Sequence, residues 1–282
     1  MPLRDMLLNI NTYPDPTPDS AVEQAVAFAH LTDGKLTALA VEINIPLYSD
    51  RSREVFLGLR GFAHEEEARS HRAMQAGLAH FSDIAEAAGV FAGVLEAKAS
   101  IYDTSAAIAH RALARDICLV PCGDRFNDPA GVVQRILFDS GCPVIIFRAE
   151  GVQLPTVRLD SVVLAWDGSA TAARAMRAAL PLLQQTRQVH VVTFLAEKES
   201  ARRGIGLEVV RHLAAHGIPA VAEEIPSAGR RIGECFDSYV DAMKPSLLVM
   251  GAYGHSRLLE FLLGGATRHA LNGGTVATFL AH

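Results

Sequence analysis

Near the C-terminus an apolar stretch over 246–250 breaks into Gly251-Ala-Tyr-Gly254, then continues as an amphipathic helical pattern carrying Gly264, Gly265, Ala266 and Thr267. The spacing is G-x2-G-x9-G, placed after a predicted strand and across a predicted helix. Glycine reaches backbone angles closed to other residues and lets a ligand approach the main chain, while a helix start supplies unpaired N–H donors and a partial positive charge. The chemistry this suits is the holding of an anion, above all a phosphate. The same glycines would also serve a turn and a helix C-cap.

Few other residues combine type and spacing in a way that could do chemistry. Cys118, Cys122, Cys142 and Cys235 have neither paired C-x2-C spacing nor the density of a disulfide scaffold, so they read as reduced thiols. Cys118 lies in an apolar strand and is expected to fill core. Cys122 follows that strand and is expected to be exposed, with packing preferred over a redox role for the pair. His64 and His71 share a face of a predicted helix, but Glu65, Glu66, Glu67, Arg69 and Arg72 are interleaved and no H-E-x-x-H occurs. A solvated helix face is expected and no metal site is assigned. His255 reads as a surface turn, and Ser169 and Ser256 as helix caps. No catalytic residue is assigned, because no nucleophile comes with a recognisable base. There is no G-x-x-x-x-G-K-[ST], and neither copy's first strand leads into G-x-G-x-x-G, which argues against a P-loop NTPase and a nicotinamide dehydrogenase.

The elements that must position these residues repeat. Strands are expected over 6–10, 35–43, 91–97, 117–120 and 143–147, with helices over 20–31, 63–88, 104–115 and 129–138 between them. Ser20 is the expected cap of the first helix, and the polar connection over 44–62 is of the kind that covers a cleft. After a junction at 148–160 the order begins again. Strands fall over 161–166, 188–195, 220–225, 247–250 and 275–281, with helices over 172–183, 206–216, 231–243 and within 256–271. Such alternation calls for open parallel sheets of about five strands with helices on both faces, one in each of two domains, 1–150 and 151–282. Matching 133–141 to 266–274 gives an offset of 133, and matching 119–120 to 248–249 gives 129, so four residues are missing from the first copy at the glycine loop. Nothing in 121–129 reproduces the Gly251/Gly254 pair.

At 282 residues, with 50% hydrophobic and 20% charged residues, the chain can bury two sizeable cores. The net charge of −5 and the lack of a Lys/Arg-rich run argue against nucleic acid or an anionic membrane as partner. The opening residues turn polar too soon for a signal peptide, and no apolar run nears the ~18 residues of a membrane span. A soluble cytoplasmic protein is expected.

The repeat, the strand order and the glycine motif together resemble the universal stress protein family in its tandem form. The architectural likeness runs over nearly the whole chain, whereas the motif lies in the second half. The resemblance implies two Rossmann-like α/β domains that associate through their last strands as an intramolecular pseudo-dimer. It also implies a non-catalytic stress-response role with ATP or another adenine nucleotide as ligand, alone or with Mg2+. Asp167 falls on the acidic position that contacts adenosine, with Ala165 beside it, and Met250, Gly251, Gly254, Gly264, Gly265, Ala266 and Thr267 fall on the other contact positions. Asp167 in Asp-Gly-Ser equally suits a turn or helix cap. Gly265 stands where binders of the family place a Ser or Thr hydroxyl, which would weaken phosphate binding by about 1.5–3 kcal/mol. The first copy is expected to have lost nucleotide binding and to act as a structural partner. A homodimer is also expected to be open to the chain. Two other readings are a nucleotide-free interaction module and an enzyme of adenylate chemistry, any ATP hydrolysis in the leading reading being slow and incidental.

Overall fold

The computed structural model describes residues 3–47, 58–122, 129–149, 154–195, 203–230, 232–252 and 276–282. The first half runs β1 (Asp5–Ile10), α1 (Asp19–Leu31), β2 (Lys35–Asn44), α2 (Leu59–Ala87), β3 (Phe91–Ser100), α3 (Thr104–Ala112), β4 (Ile117–Cys122), α4 (Pro129–Arg135) and β5 (Val144–Arg148). Helix α4 continues as a π-helical turn over Ile136–Ser140. The second half runs β6 (Leu159–Ala165), α5 (Ala170–Leu183), β7 (Thr186–Leu195), α6 (Ile205–Ala215), β8 (Ala220–Pro226), α7 (Ile232–Met243), β9 (Leu247–Gly251) and β10 (Thr278–Ala281). The helix expected within 256–271 lies outside the described residues.

All ten strands form one sheet in the order β3-β2-β1-β4-β5-β10-β9-β6-β7-β8. Pairing is parallel within each half, and the antiparallel pair β5–β10 joins them. The inner strands read as continuous apolar runs because helices cover both faces: β4, β9 and β10 are buried at every residue. The outermost strands β3 and β8 alternate between half-buried and exposed residues, as edges do. One face packs Leu8, Leu119, Ile145, Leu164, Val249 and Phe279 beneath α1, α2, α5 and α6. The other packs Leu7, Cys118, Ile146, Val163, Leu248 and Leu280 beneath α3, α4 and α7.

The halves superimpose by hydrogen-bond register. Asp116 N donates to Asp5 O at 2.9 Å and Ser246 N to Ser161 O at 2.8 Å; Cys118 N donates to Pro143 O and Leu248 N to Ala277 O, both at 2.9 Å. The offsets are therefore 156 at the first strand (Asp5, Ser161), 130 at the fourth (Cys118, Leu248) and 134 at the fifth (Pro143, Ala277). This corrects the sequence match of Leu119 to Leu248, which places side chains of opposite sheet faces together. The first half is still four residues shorter between its fourth and fifth strands.

Two local expectations change. Ser20 does not cap α1: the helix starts at Asp19 behind Pro18, whose fixed φ of −65° and ψ of 148° set the entry, and whose carbonyl accepts Ala21 N at 3.0 Å. Cys122 is buried, not exposed, and burial pushes its thiol up to about 12, while Cys118 is driven well above the ordinary thiol range for the same reason. Thiolates are the reactive form, so burial disfavours reactivity at both groups. His64 and His71 are both exposed, as expected of a solvated helix face, and on that face His71 Nδ1 lies 2.8 Å from Glu42 Oε2, whose Oε1 also accepts Lys98 Nζ at 2.5 Å. Among the described residues no group of three or more His, Cys, Asp or Glu could hold a metal ion, and no helix is long and apolar enough to cross a membrane.

Residues 148, 149 and 154, at the junction of the halves, are bonded to one buried amide. Gln24 Nε2 on α1 donates to Ala149 O at 3.0 Å and Arg148 O at 3.3 Å, and its Oε1 accepts Leu154 N at 3.0 Å. Truncation strands these backbone groups in a dry site, and each such loss costs about 1–3 kcal/mol. Gln24→Ala is therefore expected to lower stability by about 2 kcal/mol in urea unfolding. A change below about 0.5 kcal/mol would show that water replaces the amide.

Candidate functional site

In the second half, β6 ends at Ala165, and Trp166 N carries one more ladder bond, donating to Val192 O at 2.8 Å. The chain then turns at Gly168, whose φ of 75° lies in the left-handed region that glycine enters without strain. Ser169 N donates to Asp167 Oδ1 at 2.9 Å, closing an Asx turn. Ser169 Oγ accepts Ala172 N at 3.2 Å and lies 3.0 Å from Thr171 Oγ1, so Ser169 is the α5 cap expected of it. Asp167 thus serves the turn as well as standing at the strand end.

Strand β9 lies beside β6, with Leu164 opposite Val249, so Met250 and Gly251 reach the same end of the sheet as Ala165 and Asp167. This is the switch point of the half, where β6 separates β9 from β7 and the chain order reverses, the usual place for a ligand in an open α/β sheet. Gly251 meets a close neighbour here, but the neighbour is protein. A Cβ on Gly251 would lie 2.5 Å from Ala172 N and from Thr171 C, so the glycine admits the first turn of α5. Packing against α5 is by itself a reason for glycine at 251. Gly254, Gly264, Gly265, Ala266 and Thr267, together with His255, lie outside the described residues.

The matching end of the first half holds a cavity of about 480 Å³. By the register above, Asn9 matches Ala165, Asn11 matches Asp167, Val120 matches Met250 and Pro121 matches Gly251, and all four first-half residues line the cavity. Its polar lining also includes Thr12, Thr104 and Ser105; Ile43, Ile101 and Ile108 are among the apolar walls. Asn11 O accepts Thr17 N at 3.0 Å and Asn11 N donates to Thr17 Oγ1 at 2.8 Å, which folds the proline-rich loop back on itself. Thr12 Oγ1 donates to Val41 O at 2.6 Å and lies 2.8 Å from Ser70 Oγ, which in turn accepts Ile43 N at 3.1 Å. These bonds lock the loop to β2 and α2. Sequence reading passed over these residues, although Asn9 inside Met-Leu-Leu-Asn-Ile was a visible signal, since an amide in a buried strand needs partners.

No family model matches the chain, and no curated protein matches it in sequence. Solved structures do match it along nearly its whole length. A universal stress protein from Archaeoglobus fulgidus has 18% identity and a TM-score of 0.67, covering 98% of this chain and 95% of its own. A candidate universal stress protein from Pseudomonas aeruginosa has 15% identity and a TM-score of 0.52, covering 99% of this chain and 93% of its own. A protein of unknown function from Pseudomonas aeruginosa has 13% identity and a TM-score of 0.53, covering 98% and 92%. The chain has the mostly parallel α/β fold of these proteins, and at such identities the likeness is one of fold.

Proposed function

We propose that the protein is a non-catalytic, cytoplasmic stress-response protein whose second half binds ATP or another adenine nucleotide, with or without Mg2+. Residues 1–150 and 151–282 act as fused domains in this reading, forming an intramolecular pseudo-dimer. The observation that carries it is the convergence of Ala165, Asp167, Met250 and Gly251 at the ends of the adjacent strands β6 and β9, at the switch point of the half. The likeness in fold to a universal stress protein supports it. Asp167 would accept the sugar hydroxyls. The glycine-bearing stretch over 254–267 would supply main-chain N–H groups to the phosphates, and Gly265 would offer its N–H without a hydroxyl. Occupancy alters shape or partners only as far as the nucleotide binds two states with different affinity.

The test is calorimetry on protein stripped of nucleotide, titrated with ATP, ADP and AMP with Mg2+ present. Saturable binding is expected, weakened about tenfold by Asp167→Ala through loss of a charge-assisted acceptor. Silence toward all three at millimolar concentration would refute the reading. A second reading, a nucleotide-free interaction module that also forms homodimers, is favoured by the packing of Gly251 on α5 and by the use of Asp167 in its own turn.

A further inference from the structure

The first-half cavity is matched position by position to the proposed nucleotide crevice, and the matched residues differ in one consistent direction. Asn11 stands for Asp167, keeping the shape of a carboxylate while removing its charge. Pro121 stands for Gly251, so a main-chain N–H donor is absent at the end of β4. Among the described residues no Lys, Arg, His, Asp or Glu lines the cavity. Helix α3 starts beside the lining residues Tyr102 and Thr104 with an exposed acid, Asp103, in the N-cap position, and although its side chain makes no capping hydrogen bond its charge opposes an anion there. An ion placed here without a partner charge would have to shed water at a cost of several kcal/mol. The cavity disfavours a phosphate.

What remains is a site with apolar walls and unused neutral hydrogen-bonding capacity. Asn9 is 2% exposed, and its one side-chain hydrogen bond among the described residues is the 3.4 Å bond from its Nδ2 to Asn11 Oδ1. An amide offers two donors and two lone pairs, so most of that capacity is unspent at the cavity wall. A volume of about 480 Å³ falls within the range of small-molecule sites, which pair mostly apolar walls with a few placed polar groups. We propose that the first half is a second ligand site, selective for an uncharged ring compound bearing an amide or hydroxyl, which Asn9 and Asn11 recognise through paired hydrogen bonds. The half expected to be a mere structural partner thus keeps a site of changed chemistry. The proposal goes beyond the nucleotide reading and stands or falls separately from it.

The test uses the full chain and two neutral–charged pairs of similar shape, nicotinamide against nicotinate and orotamide against orotate, followed by saturation-transfer NMR and calorimetry. The neutral member of at least one pair is expected to bind about tenfold more tightly than its carboxylate, and Asn9→Leu to weaken it by about tenfold more. The ATP isotherm is expected to be unchanged by that variant, which separates this outcome from failure of the second-half reading. Should Asn9→Leu fail to fold, Ser105→Trp at a half-buried rim position on α3 is expected to abolish binding of the neutral ring by filling the entrance. Equal or tighter binding of the carboxylates would overturn the proposal. So would neutral rings that do not bind at millimolar concentration, or binding that survives the folded variant.

Discussion

Replacing Phe279 by alanine is expected to lower the unfolding free energy by about 4 kcal/mol, the largest loss from any single truncation considered. Phe279 is fully buried on β10, the strand at the seam, opposite Val249 within its own half and Ile145 across the antiparallel join. Removing the ring takes its transfer free energy and leaves a cavity between two rigid sheet halves that cannot close over it. Phe279→Leu keeps most of the volume and is expected to cost about 1.5 kcal/mol or less. Denaturant unfolding followed by far-UV circular dichroism and by fluorescence of Trp166, the single tryptophan, measures both variants. A shifted midpoint at constant slope is expected. A loss under about 1 kcal/mol for the alanine variant would mean that the seam is not a packed core.

Much of this architecture was legible before any coordinates. Alternating apolar strands and amphipathic helices, run twice, indicate two parallel sheets of about five strands, which the structure joins into one sheet of ten; helices on both faces let strands such as those over 117–120 or 247–250 be apolar throughout. The last strands of the two halves, β5 and β10, pair antiparallel. Element ends were less legible, for reasons of local competition. Ser20 looked like a cap, but Pro18 fixes the turn before it. Cys122 was read as exposed because the apolar run ends there, yet β4 extends through Pro121 and Cys122 as its pairing with Phe147 and Arg148 continues.

The candidate site was legible in part. Ala165, Asp167, Met250 and Gly251 are neighbours in space although more than eighty residues separate the pairs, since the strand order brings β6 against β9. An offset of 129 sets Pro121 against Met250, and the sequence match covers no residue of the first strands; hydrogen-bond register puts Pro121 over Gly251 and Asn11 over Asp167. A shift of one residue exchanges the faces of a strand, so a match by residue type alone hid which side chains share a crevice. The roles of Asp167 and Gly251 were ambiguous for a further reason: a turn residue and a ligand contact make the same demand on the backbone.

That ambiguity makes Gly251→Ala the most informative backbone substitution. The new Cβ would lie 2.5 Å from Ala172 N and Thr171 C and 2.8 Å from Thr171 O, all main-chain atoms that no side-chain rotation can move aside. Helix α5 is itself held by Ala175, Ala179 and Leu182, each fully buried, so it retreats only by opening that core. A loss of about 3 kcal/mol is expected, at the upper end for an added methyl in a packed interior. Gly61→Ala near the start of α2 is the contrasting control: its Cβ would meet nothing within 4 Å among the described residues, and alanine is expected to stabilise that exposed first turn by about 0.5–1 kcal/mol. Denaturant unfolding of both variants separates steric closeness from glycine flexibility as the cause. If Gly251→Ala unfolds within about 0.5 kcal/mol of the parent, β9 is not held against α5 and Gly251 serves some demand other than packing.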